Sequence, residues 1–532
     1  MVWSQAKEKV GAWMSGKQDN DVMLDGQSLT LDQLIAVARH GWRAAMTDDA
    51  IERVRDSRLI IERALASGTP AYGVTTGFGA LQDRVISPDQ MAAMQENLVL
   101  SHAAGVGPHL PHDAVRAMIV LRANTFMKGF SGVRVELVDA LLDLVNRGVT
   151  PVVPLQGSVG SSGDLAPLAH LACVLIGRGA ASYQGEILPG AGALRAAGLA
   201  PLVLQAKEGL ALTNGTQFMT AVGSLALADA WNLARTADIA AALSLEALKG
   251  RSSPFRPEVG MLRAHEGHAQ VAENVRRLTA GSDLLDADDE DTAGAIQDAY
   301  SLRCVPQVHG ASRSAFRHVG ATLTVEMNSV NDNPLVLADE PSICSAGNFH
   351  GQPIALVLDY LALATAELGS ISERRCARLV DERLSRGLPA FLVQASGLNS
   401  GLMIAQYTAA ALASENKSLA HPASADSIPT CANQEDHNSM GSIAARHARA
   451  IVDNVTNVLA IEILCACQAL DFRRSRSAVL GRGTAAAFGA VREAVTMIDR
   501  DREISGDIAA VASLIAQGEL ADAARAAVGE LR

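Results

Sequence analysis

Helical periodicity runs through most of this chain and limits the folds that are open to it. Apolar residues recur three and four positions apart in long segments, which predicts amphipathic α-helices. These segments lie around 110–147, 164–180, 216–249, 310–330, 352–385, 400–420 and 440–470. Several are long enough to form the helices of a bundle. The sequence has no alternation of strand and helix patterns, so a doubly wound nucleotide-binding fold is not expected.

The composition agrees with helices packed on one another. The mean hydropathy is +0.15 although only 4% of the residues are aromatic, because alanine and leucine are abundant. The formal net charge is −12 and the pI is near 5.6. This acidic balance, with no basic patch interleaved with aromatic residues, argues against nucleic acid as a partner.

The cysteines and the first residues indicate the compartment. The seven cysteines are scattered and odd in number, so they predict buried thiols and no disulfide framework. Cys465 and Cys467 have no second Cys or His pair at zinc spacing nearby, and no metal site is expected. The sequence begins without the apolar core of a secretory signal, and no uninterrupted apolar run reaches the roughly 20 residues that span a bilayer. We expect a cytoplasmic protein with no membrane partner.

One loop, at 157–163, is unusually rich in glycine and serine. As local structure it is a tight turn that leads into a helix. It also has a chemical interpretation, because the backbone nitrogen of Gly163 can attack the carbonyl carbon of Ser161 in a bent loop and close a five-membered ring. Loss of water from that adduct and from the Ser162 side chain would leave a methylidene group conjugated with an imidazolone. That group is an electrophile, which ordinary side chains do not supply.

Several polar and glycine-rich motifs accompany this loop. They are Tyr72-Gly73-Val74-Thr75-Thr76-Gly77-Phe78-Gly79, Asn214-Gly215-Thr216-Gln217, Gln297-Asp298-Ala299-Tyr300-Ser301-Leu302-Arg303, Asp332-Asn333-Pro334, Gly347-Asn348-Phe349-His350 and Asn433-Gln434-Glu435-Asp436-His437. In this order they resemble the motif series of the histidine and aromatic amino acid ammonia-lyases. The resemblance covers the chain from about residue 25 to about residue 470.

The resemblance and the periodicity together predict a mainly α fold, in which a long central helix bundle is joined to a smaller, loop-rich N-terminal active-site domain. We expect an N-terminal extension over 1–25 and an N-terminal domain over 26–215 that carries the base loop and the electrophile loop. The remainder, 216–532, is expected to form the helical bundle domain, with substrate-binding residues and the C-terminal helices.

The resemblance also implies a cofactor made by the chain itself. In that family an Ala-Ser-Gly tripeptide cyclises into 4-methylidene-imidazol-5-one, which corresponds here to Ser161, Ser162 and Gly163, with no dissociable cofactor. Ser161 departs from the family's alanine, but only the carbonyl of that residue enters the ring. Asp164 resembles the family's aspartate beside the tripeptide and is expected to assist cyclisation. A carboxylate that stabilises a helix N-terminus would give the same pattern.

Elimination of ammonia from an α-amino acid requires an electrophile and a strong base. The resemblance implies that Tyr72 is the base, and a phenol with an ordinary pKa near 10 must be shifted down to act at neutral pH. It further implies that Tyr300 orients the substrate or relays protons and that Asn214 polarises the carbonyl oxygen of the electrophile. Arg303 offers the fork of donors that a carboxylate needs. The other expected pocket residues are Gln297, Asn333 and Phe349.

The residues expected to meet the substrate side chain favour histidine. Ser101 and His102 resemble the selectivity position of the histidine enzymes, and a polar pair suits an imidazole that can donate and accept hydrogen bonds. Glu435, with Gln434 beside it, can accept from a ring N–H and would be costly against a bare phenyl ring. A buried ion pair is the alternative interpretation of Glu435. We therefore expect an ammonia-lyase that converts L-histidine to trans-urocanate.

Three positions leave other activities open. Thr75 is closer to the aromatic lyases, Ala299 replaces the proline usual in the histidine enzymes, and Asn438 is a further deviation. The alternatives are a tyrosine, phenylalanine or modified-histidine ammonia-lyase, a 2,3-aminomutase, and an uncyclised helical scaffold or binding protein. The resemblance also implies a homotetramer with active sites shared among three subunits, in which Tyr72 and the electrophile loop come from different chains.

Overall fold

The computed structural model describes residues 21–68, 71–292, 296–338, 341–474 and 478–532. The chain is 61% helical, with long helices and few strands. This confirms the predicted mainly α fold. Residues 1–20, which make up most of the expected N-terminal extension, lie outside the described residues.

The helices and strands are listed here in chain order. The α-helices are α1 (Leu31–Arg39), α2 (Asp48–Ser67), α3 (Met91–His102), α4 (His112–Met127), α5 (Val135–Arg147), α6 (Leu165–Leu175), α7 (Gly190–Ala196), α8 (Glu208–Thr213), α9 (Gln217–Ala247), α10 (Pro257–Leu262), α11 (Glu266–Leu278), α12 (Tyr300–Arg303), α13 (Val305–Met327), α14 (Gln352–Val380), α15 (Met403–Leu419), α16 (Gly441–Arg474), α17 (Arg482–Ala494), α18 (Ser505–Ala516) and α19 (Glu519–Val528). The strands are β1 (Asp21–Leu24), β2 (Arg43–Met46), β3 (Val106–His109), β4 (Thr150–Pro151), β5 (Pro154–Gln156), β6 (Ala180–Tyr183), β7 (Glu186–Pro189), β8 (Leu335–Leu337) and β9 (Ser342–Cys344).

The strands form small sheets. β1 pairs with β2 in parallel, with Asp21 opposite Arg43. β3 pairs with β5, β4 with β6, β6 with β7, and β8 with β9, all antiparallel. Short sheets of this kind connect helices and do not form a core of their own.

The chain divides into two compact units. The first comprises the described residues up to Ala221 together with Thr324–Gly351 and Ile428–Asn438. The second comprises Val222–Leu323, Gln352–Ser427 and Ser439–Arg532. Our division of the chain at 215/216 stays a prediction.

In the first unit, the loop at 157–163 and the turn at 214–216 are carried by helices that pack together. α3, α6 and α8 pack against one another. The serine- and glycine-rich loop leads directly into α6, and Asn214-Gly215-Thr216 joins α8 to α9. Loops held on rigid helices in this way can keep reactive groups in fixed positions.

At the start of the unit, Thr30 caps α1: its hydroxyl accepts from the Gln33 backbone N–H, while the Gln33 side chain accepts from the Thr30 N–H.

The second unit is a bundle of long helices. α14 packs along α16, and α15 and α18 also pack against α16. Many residues of α16 are buried, and Val455, Leu459 and Ile463 are completely so. A hydrogen bond of 2.7 Å from the Ser312 hydroxyl to the Ala364 carbonyl joins α13 to α14. Burial of such uniformly apolar helices is what stabilises a bundle.

α14 and α16 are also long and apolar enough to cross a bilayer, by length and composition alone. In the structure 67% of the apolar stretch of α14 and 72% of that of α16 are buried inside the protein. The core helix of a bundle has the same length and composition.

Candidate active site

The loop around Ser161, Ser162 and Gly163 is sharply bent and held on both sides. Gly163 has φ +76°, and a Cβ at this position would lie 2.1 Å from the Gly215 carbonyl oxygen, so only glycine fits. The Gly215 N–H donates to the Ser162 carbonyl at 3.2 Å, and the Asp164 N–H donates to the Gly215 carbonyl at 2.6 Å. Ser161 is buried in the same loop. The tripeptide is therefore fixed against the turn between α8 and α9.

The carboxylate of Glu435 lies directly beside this loop. The Ser162 hydroxyl donates to Glu435 Oε1 at 3.0 Å, and the Thr430 hydroxyl donates to Oε2 at 2.7 Å. The Thr430 N–H also donates to the Glu435 carbonyl at 2.9 Å, and the Glu435 N–H donates back at 3.3 Å. One carboxylate oxygen thus faces the loop while the other is held by its own segment.

Tyr72 shares this neighbourhood. The Gly79 backbone N–H donates to the Tyr72 phenol oxygen at 2.9 Å, and the Ala80 N–H points at Cys431 Sγ, 3.4 Å away. Burial raises the pKa of Tyr72, the Gly79 donor opposes that shift, and the charges of Cys431 and Glu435 raise the pKa further. Within the described chain the pKa of Tyr72 is therefore raised, whereas a base that acts at neutral pH needs a lowered pKa.

Within the described chain, Glu435 therefore interacts with both the electrophile loop and Tyr72. Ser162 contacts this carboxylate, and the charge of the same carboxylate acts on Tyr72. The expectation that the two come from different chains of an assembly stays a prediction. The segment 428–438, which belongs to the first unit, is what brings them together.

The predicted selectivity pair lies at the end of α3. The Ser101 hydroxyl donates to the Leu98 carbonyl at 3.0 Å and lies 3.1 Å from His102 Nδ1. Burial lowers the pKa of His102, whereas a contact with the Leu98 carbonyl and the charge of Glu435 raise it. The imidazole of His102 is thus within the electrostatic range of the same carboxylate.

Asn214 and Asn333 contact each other directly and lie next to a buried cluster of charged side chains. The Asn214 side-chain amide donates to the Asn333 carbonyl at 3.0 Å, so the donor to the Ser162 carbonyl is the Gly215 N–H. Asp332 pairs with Lys207 at 2.8 Å and with Arg122 at 3.7 Å, and all three side chains are fully buried. Burial lowers the pKa of Arg122 to about 10 and also lowers the pKa of Lys207. This cluster fixes the Asp332-Asn333 turn next to Asn214.

Asp164 is a buried carboxyl group at the start of α6. One oxygen accepts from the Met219 N–H at 3.0 Å, and the other accepts from the Ser158 hydroxyl at 3.3 Å. Burial raises the pKa of Asp164 to about 7, although these donors oppose the shift. The side chain can therefore hold or release a proton near neutral pH, next to the tripeptide.

The remaining predicted residues of the first unit are Gln434 and Phe349. Gln434 is exposed, and its N–H donates to the Cys431 carbonyl at 3.0 Å. Phe349 is partly buried and precedes His350, whose Nε2 lies 3.1 Å from the His437 carbonyl oxygen. The described residues contain no group of three or more His, Cys, Asp and Glu side chains that could hold a metal ion.

Gln297, Tyr300 and Arg303 belong to the second unit. Gln297 is exposed, and Tyr300 exposes 72% of its surface. The Arg303 guanidinium lies over the Tyr300 ring, 4.6 Å from its centroid. Arg303 Nε is buried and has no hydrogen-bond partner among the residues that the structure describes. A cation held in this way is available to bind an anionic group.

Comparison with known proteins identifies the family. The family model for aromatic amino acid lyases matches residues 29–493. The chain belongs to this family. Enzymes of this family depend on a methylidene-imidazolone group.

Several members of the aromatic amino acid lyase family are closely similar to this chain. Histidine ammonia-lyase of Symbiobacterium thermophilum is 54% identical over 506 residues, which are 95% of this chain and 99% of that protein. The crystal structure of histidine ammonia-lyase from Trypanosoma cruzi matches with a TM-score of 0.88 and 42% identity, over 96% of each chain. Tyrosine aminomutase from Streptomyces globisporus matches with a TM-score of 0.91 and 39% identity, over 96% of this chain and 100% of the other.

Two residues that contact the site were not predicted. Thr430 holds Glu435, and Gly215 donates to the Ser162 carbonyl. Gly215 stands within a motif that the sequence already marked, so its position next to Asn214 was an available signal. Nothing local to Thr430 distinguishes it, because its role depends on a turn that closes five residues later.

Proposed function

We propose that this chain eliminates ammonia from L-histidine to give trans-urocanate. The observation that carries the proposal is the Glu435 carboxylate, held by Thr430 and directed at Ser162. A carboxylate in that position can accept the N–H of an imidazole. The polar pair Ser101 and His102 and the high identity to histidine ammonia-lyases support the same substrate.

We propose that Ser161, Ser162 and Gly163 cyclise into the family's 4-methylidene-imidazol-5-one. The fit is supported by the left-handed Gly163, which no residue with a Cβ could replace beside Gly215, and by the Gly215 N–H on the Ser162 carbonyl. When formed, the group supplies an electrophile that takes up the substrate amine and makes it a better leaving group. Asp164 is placed to exchange a proton beside the tripeptide.

The roles proposed for the other residues are those that the resemblance to the family implies. Tyr72 is the base that removes the β-proton of the substrate, and Arg303 binds the substrate carboxylate with Tyr300 beside it. Glu435 accepts from the imidazole ring, near Ser101 and His102. Asn214 polarises the carbonyl oxygen of the electrophile once that group has formed, and Gln297, Asn333, Phe349 and Gln434 line the pocket. The protein is proposed to work in the cytoplasm, without a dissociable cofactor or a metal.

The substrate proposal is tested by offering the purified protein histidine, tyrosine and phenylalanine separately. We expect absorbance of the unsaturated acid to appear with histidine and to be at least tenfold slower with the other two. The imidazole offers a ring N–H to Glu435, whereas phenylalanine offers no donor and the tyrosine hydroxyl lies outside its ring. Activity on tyrosine with none on histidine would refute the role of Glu435. An intact mass without the loss of two waters would instead favour an uncyclised scaffold.

A 2,3-aminomutase is the second candidate, and one observation favours it. Tyrosine aminomutase from Streptomyces globisporus matches the chain with a TM-score of 0.91. A mutase would return the amine to the β-carbon. Chromatography of the products separates the outcomes, since a β-amino acid identifies a mutase and urocanate with free ammonia identifies a lyase.

We also propose that the protein is a homotetramer with shared active sites. Large apolar side chains are exposed along one face of α14, at Leu356, Tyr360 and Leu363. An exposed apolar row of this kind is typical of a surface that another subunit covers. Light scattering on the purified protein is expected to give four times the chain mass of 55.6 kDa. A fully active monomer would contradict the shared sites.

A further inference from the structure

The hydrogen bond between Ser162 and Glu435 joins the carboxylate to an atom that cyclisation must remove. Ser162 Oγ lies 3.0 Å from Glu435 Oε1. If the proposed electrophile forms, this hydroxyl leaves the chain as water. The contact therefore exists only before maturation, and Glu435 is positioned at the reacting atom while the group is being made.

Loss of that hydroxyl needs a proton carrier. Formation of the methylidene group breaks the Cα–H and Cβ–O bonds of Ser162 and forms the Cα=Cβ double bond. Hydroxide is a poor leaving group, so Oγ must receive a proton as the bond breaks, and a carboxyl group within hydrogen-bond distance is a suited donor. We propose that Glu435 catalyses this dehydration, which gives it a role in maturation besides its role in substrate binding.

The step balances without any other reagent. Glu435 takes up the proton that leaves Ser162 Cα, and it delivers a proton to Oγ as the Cβ–O bond breaks. One water departs, the electrons of the Cα–H bond form the double bond, and the carboxylate returns to its starting charge. The ring closure between Gly163 and Ser161 releases the other water and does not require Glu435.

The surrounding backbone keeps the carboxylate in place for this step. Cys431, Ala432 and Asn433 all have positive φ, at 50°, 52° and 67°, which is unusual for three consecutive residues that are not glycine. Such a turn persists only where its surroundings hold it, and here the paired backbone hydrogen bonds between Thr430 and Glu435 close it. Thr430 also holds Oε2, which leaves Oε1 for Ser162.

Maturation then prepares the substrate site. Once Ser162 Oγ is gone, Oε1 loses its donor, whereas Oε2 keeps the Thr430 hydroxyl. An unpaired, partly buried carboxylate oxygen is a strong acceptor for a ring N–H. This inference rests on the proposed function, because it requires that the tripeptide cyclises.

The test is mass spectrometry of the intact chain and of the peptide that contains residues 161–163. We expect the natural sequence to be lighter than its calculated mass by two waters, about 36 Da. Glu435→Gln is nearly isosteric but cannot carry a proton, so it is expected to keep the Ser162 hydroxyl and to lose one water or none. The matched control is Asp436→Asn, which changes the neighbouring exposed carboxylate and is expected to lose both waters.

The outcomes separate the two proposals. Loss of both waters by Glu435→Gln, as in the natural sequence, would overturn the role in dehydration and leave the proposed function standing. If the natural sequence itself loses no water, the proposed electrophile fails, and this inference fails with it. Circular dichroism of Glu435→Gln must match that of Asp436→Asn, so that a retained hydroxyl reports chemistry in a folded chain.

Discussion

Tyr72→Phe is expected to lower kcat for histidine about 10²- to 10⁴-fold, the range that a positioned base contributes. The variant keeps the ring and its packing, and it removes only the oxygen that receives the Gly79 N–H. KM is expected to change by a small factor, because in its proposed role the phenol acts on the β-proton and does not bind the carboxylate or the imidazole. Steady-state rates of urocanate formation measure both constants.

Tyr183→Phe is the matched control, since it removes the same atom from a tyrosine in β6 whose phenol contacts the Gln184 side chain. It is expected to leave kcat unchanged. Mass spectrometry of Tyr72→Phe should still show the loss of both waters, because Tyr72 does not contact Ser162 through any hydrogen bond in the described chain. A Tyr72→Phe protein with native kcat would remove Tyr72 from the mechanism.

The pH profile follows from the surroundings of the same phenol. Burial raises the pKa of Tyr72 above its ordinary value near 10, and the charges of Cys431 and Glu435 act in the same direction against the Gly79 donor. The basic form is then a minor fraction at neutral pH and grows as the pH rises. For the natural sequence kcat/KM is expected to increase between about pH 7 and pH 9, by up to tenfold per unit. A flat profile would mean that Tyr72 is already ionised.

The sequence was most informative where the structure depends on local patterns. The periodicity around 216–249, 352–385 and 440–470 matches α9, α14 and α16 closely, because buried faces repeat with the helix turn. The segment around 110–147 proved to be two helices, α4 and α5, since Gly129 and Gly132 adopt left-handed conformations between them. Apolar spacing continues across such a break and does not reveal it.

Contacts between distant segments could not be predicted from composition or spacing. Ser162 and Glu435 are 273 positions apart, and only the folded chain shows that they touch. The direction of the Tyr72 pKa shift depends on burial, which is likewise a property of the fold. The motif series marked Ser162 and Glu435 separately. It did not show that the two contact each other, or which oxygen of Glu435 takes part.

Glu462→Ala is expected to destabilise the second unit by about 3–5 kcal/mol, because it leaves a buried guanidinium without a counter-charge. Glu462 Oε1 accepts from Arg375 Nε at 2.5 Å and from Ser244 at 2.7 Å, and Oε2 accepts from Arg375 Nη2 at 2.9 Å and from Ser372 at 2.6 Å. Both charged side chains are fully buried. The network joins α9, α14 and α16 through one carboxylate.

Urea and thermal unfolding midpoints measure this loss. Glu258→Gln is the control, because it breaks the exposed pair with Arg256 and is expected to leave both midpoints unchanged. The double variant Arg375→Met with Glu462→Met tests the cause, since replacing both partners of a buried ion pair by apolar side chains is often close to neutral. If the double variant is as unstable as Glu462→Ala, the uncompensated charge is not the reason.

The same double variant also separates stability from function. Arg375 Nη1 donates to the Ser301 carbonyl at 3.3 Å, inside α12, which presents Tyr300 and Arg303. Without this donor the Ser301 carbonyl loses its hydrogen bond to α14, and α12 is held less firmly. KM for histidine is therefore expected to rise severalfold even where the unfolding midpoints recover. Glu462 itself does not contact α12 through any described hydrogen bond. Recovery of both stability and KM would therefore show that Arg375 holds the bundle and does not position Arg303, the residue proposed to bind the carboxylate.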